Sequence, residues 1–357
     1  MLLLAACGTS STASSGSSAT PKSLGLKSVP AIKPPAFIPG PLDGQSTPRA
    51  VALRRPLAII IENYSPESRP QTGLSAASTV IETLAEGGIT RFMGIYLEHD
   101  APKVGPVRST RMYFDNWAAA FHAILNHVGG NDDAQNLLWH LPSVFNVDEN
   151  RWEVNLYDTG TPIFWRSADR AAPHNMYTST FKTRAYAYGQ HQDWAYTQAY
   201  FVHKQWAPLK QRGHSGQIAI TFMNPLNPID QPDYDVRYVF NRASDTYTRF
   251  MGGSPHIDAA TGKALAPSNV VIMRTGDATA DPNAGPTPES ILIPTIGKGR
   301  AWVFRDGTVQ ASTWQQANTF APLRFYDRKG RQIALNPGQT WIEVVPASSH
   351  YVSWSFR

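Results

Sequence analysis

Cysteine is nearly absent: Cys7 is the one thiol in 357 residues. An intramolecular disulfide is excluded, and so is a zinc site built on cysteines. Long apolar runs are missing too. No stretch approaches the ~18 uninterrupted apolar residues that a membrane-crossing helix needs. Basic runs stop at two residues (Arg54-Arg55, Arg328-Lys329). The net charge of +5 therefore suits an anionic surface such as membrane or wall polymer, and a nucleic-acid partner is not expected. Catalytic fingerprints are lacking as well. The ten histidines form no H-E-x-x-H, and no phosphate loop, dinucleotide fingerprint or G-x-S-x-G elbow occurs. No metal and no cofactor are expected.

What is present begins at the amino terminus. Leu4-Ala5-Ala6-Cys7 has the lipobox pattern, an apolar residue and two small ones before a cysteine to be alkylated with diacylglycerol. The residues ahead of it are too few for the apolar region of about 7–15 residues in a signal peptide, so the true start is expected upstream. A lipidated Cys7 would hold the chain on the outer face of the cytoplasmic membrane and could not serve as a nucleophile. Residues 8–50 are rich in Ser, Thr and Gly, then in Pro, and read as a disordered tether reaching roughly 35 Å.

The remaining body, 42% hydrophobic residues over the whole chain and ten tryptophans, has the makings of a packed globular protein. The expected fold class is α+β: a layered α/β-type domain over 51–215, then a mainly antiparallel β-rich domain over 216–357. Leu57-Ala58-Ile59-Ile60-Ile61 reads as a buried strand. Residues 75–85 read as a helix with Ala76, Val80 and Leu84 on one face, stopped by Gly87-Gly88. Residues 89–97 read as a strand, 106–125 as a helix ending in strand character near 123–128, and a third helix is expected after Asn131. The segment 186–206 is expected to be helical and peripheral. From 217 onward β-formers dominate, with hairpin turns at Asp306-Gly307 and Asp327-Arg328-Lys329-Gly330.

Helix ends and glycine turns can converge on a ligand, and residues 69–111 hold several. Arg69, Gln71, Glu82, Glu86, Arg91, Arg108, Ser109, Arg111, His127, His174 and Asn175 are expected to border one cleft. Glu82 and Glu86, four apart, would share a helix face. Arg108 and Arg111 would lie in the first turns of the next helix. They suit a carboxylate or phosphate, or pair internally with those glutamates; the two readings stand level.

Several motifs together resemble the YerB-like bacterial lipoprotein family, a domain of unknown function. They are Arg69-Pro70-Gln71-Thr72-Gly73-Leu74, Glu86-Gly87-Gly88-Ile89-Thr90-Arg91, Gly105-Pro106-Val107-Arg108-Ser109, His127-Val128-Gly129-Gly130, Pro173-His174-Asn175 and Gly338-Gln339-Thr340-Trp341. The chain departs from the family pattern at Asn131, where a serine is expected. The resemblance implies an exported, lipid-anchored, two-domain envelope protein linked to cell-wall metabolism, and carries over no catalytic residue. The functional expectation is a non-enzymatic envelope protein that binds an anionic wall fragment or a wall-synthesis or wall-cleaving partner. The alternative is a peptidoglycan hydrolase or lyase using Glu86 or Glu82 as acid/base.

Overall fold

The computed structural model describes residues 34–151, 162–195, 200–223, 226, 231–283, 290–347 and 352–357. Cys7, its lipobox and residues 8–33 of the expected tether lie outside the described residues. Ala36–Arg357 forms one compact unit, so packed structure begins before residue 51. Phe37–Pro39 and Ser46–Pro48 pair as an antiparallel ladder, and Leu42 and Asp43 between them are buried. Leu42 N–H donates to Glu98 Oε1 over 2.8 Å, which gives this proline-rich stretch an anchor that composition does not reveal.

Strands dominate. Those of the two main sheets are β1 (Leu57–Glu62), β2 (Thr79–Leu84), β3 (Thr90–Tyr96), β4 (Ile124–His127), β5 (Phe145–Asp148), β6 (Gly216–Ile220), β7 (Val236–Asn241), β8 (Thr246–Met251), β9 (Ser254–Pro255), β10 (Asn269–Arg274), β11 (Gly297–Arg305), β12 (Thr308–Gln316), β13 (Arg324–Tyr326), β14 (Thr340–Val345) and β15 (Val352–Phe356). A ten-stranded mixed sheet runs β13-β12-β11-β10-β14-β2-β3-β1-β4-β5, and a five-stranded sheet runs β9-β8-β7-β6-β15. The smaller sheet is antiparallel throughout. In the larger one β14 lies parallel to both β10 and β2, so strands from both sides of residue 216 share one sheet.

The core follows from composition. All six side chains of β1, β2 and β14 are buried, as expected of strands covered on both faces. The smaller sheet lies over the larger: Trp354 packs on Trp302 and Phe304 with centroids 5.3 and 5.5 Å apart, and Phe356 stacks on Phe304 at 5.7 Å. The longer helices are α1 (Met112–Ala120), α2 (Asp132–Leu138) and α3 (Thr180–Gly189). Asn131 caps α2, accepting from Ala134 N–H.

Several local expectations are corrected. Residues 75–85 are not a helix: a single 3-10 turn, Leu74–Ala76, leads into β2. The β-branched Thr79, Val80, Ile81 and Thr83 favour a pleated, buried strand over a helix whose apolar spacing was only apparent. Gly87 and Gly88, at φ 66° and 79°, make the turn between β2 and β3 instead of a helix end. Glu82 therefore stands in a strand and Glu86 in a turn, not on a common helix face. Residues 106–111 are extended, with α1 starting at Met112 behind Arg111 (φ −143°), so Arg108 and Arg111 occupy no helical turn. Helix α3 ends at Gly189, and among the described residues of 190–206 no helix follows, which limits the helical expectation for 186–206 there to its first residues.

Candidate functional site

Strand β1 ends in a charge. Glu62 follows five apolar residues and is 3% exposed. Two extended segments dock on this end and bring their side chains to it. Residues around Arg108 run beside β1, with Arg108 N–H donating to Ile60 O over 3.0 Å. Val107 N–H in turn donates to Met176 O over 2.7 Å, which draws in the segment that carries His174. Glu62 Oε1 then ion-pairs with Arg108 Nε at 3.1 Å and lies 3.0 Å from His174 Nδ1. Glu62 Oε2 is buried without a hydrogen-bond partner.

The outward side of this corner is rich in donors. The Arg108 side chain is 29% exposed, and its two terminal nitrogens bond to none of the described residues. With a proton on His174 Nδ1 directed at Glu62, Nε2 is an acceptor in the neutral ring and a second donor only in the imidazolium. The Tyr64 ring stacks on the imidazole, with centroids 5.1 Å apart and planes 11° from parallel. A buried carboxylate thus orients one guanidinium and one imidazole, the arrangement that binds a carboxylate or phosphate with charge-assisted hydrogen bonds.

A second charged group adjoins it. Arg91 lies opposite Glu62 in the β1–β3 register and donates from Nη1 to Ser109 O over 2.8 Å. Glu86 bonds Arg111 Nε and lies 3.6 Å from Arg91 Nη2. Burial would raise the Glu86 carboxyl, but Arg91 and Arg111 together hold it below its ordinary value. Of the expected residues, Arg91, Arg108, Ser109 (through its carbonyl), Arg111, Glu86 and His174 come together here. Arg108 and Arg111 serve different carboxylates, Glu62 and Glu86, and the predicted partner Glu82 takes neither.

The others are placed elsewhere. Glu82 is fully buried, ion-paired with Arg249 and accepting from Thr90 Oγ1 at 2.6 Å. Gln71, also fully buried, bridges Asn63 Oδ1 at 2.9 Å and His256 Nε2 at 2.9 Å. Arg69 donates to Asn63 Oδ1 at 2.8 Å and covers the Tyr234 ring at 4.9 Å. His127 is fully buried, its ring nitrogens 2.8 Å from Gly129 O and 2.7 Å from Asn146 Oδ1. Asn175 braces its own loop through Ser167 O and Arg170 O at 3.1 and 3.2 Å. Glu82, Gln71, His127 and Asn175 are buried structural groups, while Arg69 keeps a buried Nη2 without a hydrogen-bond partner.

Sequence reasoning missed Glu62 and Tyr64. A carboxylate closing an apolar run that has no other charge was the available signal. It also missed Arg249, His256, Tyr238 and Glu343, which surround Glu82 in the interior. Among the described residues no group of three or more His, Cys, Asp or Glu side chains could hold a metal ion, and no helix is long and apolar enough to cross a membrane.

Comparison with known proteins places the chain in a family. Residues 42–194 match the N-terminal domain, and residues 228–342 the C-terminal domain, of DUF3048, a protein of unknown function. The Bacillus subtilis (strain 168) protein named "Putative lipoprotein YerB" is 31% identical over 315 residues, 86% of each chain. The crystal structure of the YerB protein from Bacillus subtilis aligns with a TM-score of 0.75 at 28% identity, covering 89% of this chain and 99% of that one. The chain belongs to the DUF3048 family of YerB-like proteins.

Proposed function

We propose that this is a lipid-anchored cell-envelope protein that binds an anionic wall fragment, or an acidic face of a wall-synthesis or wall-cleaving partner, at the Glu62–Arg108–His174 corner. The observation that carries the reading is the Arg108 guanidinium, held by one edge on a buried carboxylate while its terminal nitrogens stay open. The lipobox at Cys7 and the name of the Bacillus relative support the anchor. The layered α/β character of residues 51–215 belongs to the same proposal.

The hydrolase or lyase reading gains no support from its two acids. Glu82 has no access to solvent and is paired with Arg249. Glu86, held below its ordinary value by two arginines, is poorly placed to stay protonated as a general acid.

The test uses the soluble body, residues 36–357, with purified peptidoglycan. Retention on the insoluble wall without released fragments, lost in Arg108→Ala, is the expected result. Released fragments that vanish in Glu86→Gln would establish the enzyme instead. The anchor is tested separately, by fatty-acid labelling of the chain behind a complete signal peptide: wild type is expected to take label and Cys7→Ser to take none.

A further inference from the structure

The opposite part of the ten-stranded sheet carries a second open feature. Strands β11 and β12 extend past the cover of the smaller sheet and form, with the turn after β13, a groove of about 410 Å³ lined by Arg300, Trp302, Ser312, Thr313 and Arg328. Arg300 and Thr313 are cross-strand partners, so their side chains share one face. Neither Arg300 nor Arg328 has an ion pair or hydrogen bond among the described residues. Among the described residues no Asp or Glu lines the groove. Trp302 is fixed by Trp354 at 5.3 Å, with the Arg274 guanidinium 5.9 Å from its ring.

We infer that this groove is a binding site for an acidic saccharide, distinct from the Arg108 corner. Two unpaired guanidiniums in a lining without carboxylates call for an anion. A partly open indole, held rigid by its neighbours, offers the flat apolar surface on which the C–H face of a sugar ring stacks. The Thr313 hydroxyl, on the same face as Arg300, supplies a polar group that fixes orientation, and the volume falls in the range of small-molecule sites, about 300–1,000 Å³. Strand β11 is five places from β1 in the sheet order, which separates the two sites by about 24 Å at ~4.8 Å per strand. One polymeric chain could occupy both.

The probes are N-acetylmuramic acid, its neutral counterpart N-acetylglucosamine, and inorganic phosphate, titrated calorimetrically into residues 36–357. The expected result is binding of N-acetylmuramic acid at least about tenfold tighter than of either other probe. Hydrogen exchange is expected to show protection within 297–316. Both signals should be lost in the double variant Arg300→Gln/Arg328→Gln, whose exposed substitutions leave the urea midpoint unchanged. Equal binding of acid and neutral sugar, phosphate binding as tight as the acid, protection confined to 57–62 and 104–108, or no binding at all would each overturn the inference.

Discussion

At the residue scale, a charged cluster lies wholly in the interior. Arg249 is fully buried, paired with Glu82 and 3.8 Å from Glu343 Oε1, and its guanidinium lies 4.3 Å from the Trp341 ring centre. Burial first, and the neighbouring Glu82 charge second, push the Glu343 carboxyl well above its usual range. The protonated form of Glu343 is thus favoured beside the Arg249–Glu82 ion pair. Arg249→Met strands the Glu82 charge and is expected to lose about 3–5 kcal/mol in urea unfolding. Glu343→Gln, which replaces a neutral acid by a neutral amide, is expected to lose about 1 kcal/mol or less. Equal losses would contradict the assignment. None of this was legible locally, because Arg249 and Glu82 are 167 residues apart, and a lone glutamate in sequence carries no mark of its distant partner.

A second buried acid gives a pH signature. Asp245 meets Asp306, with Asn336 Nδ2 2.9 Å from Asp306 and Arg212 Nε 3.3 Å from Asp245. Burial, then the Asp306 charge, push Asp245 up to about 6, against the pull of Arg212 and Lys204. Its folded value exceeds the unfolded one, so the native state binds the extra proton. The contribution is full below about pH 4 and is lost as pH rises through about 6. Urea unfolding from pH 4 to 7.5 should show wild type losing on the order of 2 kcal/mol relative to Asp245→Asn. Parallel pH profiles for the two proteins would contradict it.

At the scale of elements, sequence reading succeeded where chemistry is local and failed where burial decides. The run Leu57-Ala58-Ile59-Ile60-Ile61 was legible as a strand, and the Asp306-Gly307 turn joins β11 to β12, both residues at positive φ, as turn chemistry predicts. Strand β2 was misread because burial on both faces erases the alternation that marks a strand. The Gly105-Pro106-Val107-Arg108 motif was seen, but as a helix start. Its role is to lay an extended segment between β1 and the His174 segment. Gly105 sits at φ 149°, and a Cβ there would stand 2.8 Å from Met176 O and 2.9 Å from Tyr177 Cδ1. Gly105→Ala is expected to lose about 1–3 kcal/mol and to weaken wall retention by displacing Arg108. Urea unfolding and cosedimentation together check this. Full stability with full retention would mean that the segment tolerates the change.

At the scale of the whole molecule, the parallel pairing of Thr79 with Thr340 through Glu82 with Glu343 joins the two halves through their most buried strands. Residues 36–215 alone would expose the edge of β2 that pairs with β14, leaving a buried strand open on that side and prone to association. The isolated segment is expected to be aggregated or to unfold without a cooperative transition, while 36–357 unfolds cooperatively. A stable, monomeric 36–215 would show the halves to be independent. The site's location was partly legible: six of the residues singled out in sequence do gather at one end of β1 and β3. Glu62, which organises them, was not, since its partners Arg108 and His174 approach through loops whose course sequence does not give.

The affinity of residues 36–357 for purified anionic wall polymer, measured by cosedimentation for wild type and Arg108→Ala at two salt concentrations, bears on the Arg108 corner without intermediaries. Wild type is expected to bind, to weaken as salt rises, and to lose about tenfold or more in affinity on substitution, with the urea midpoint of the variant little changed. Binding that is indifferent to both salt and Arg108→Ala would contradict the anion site.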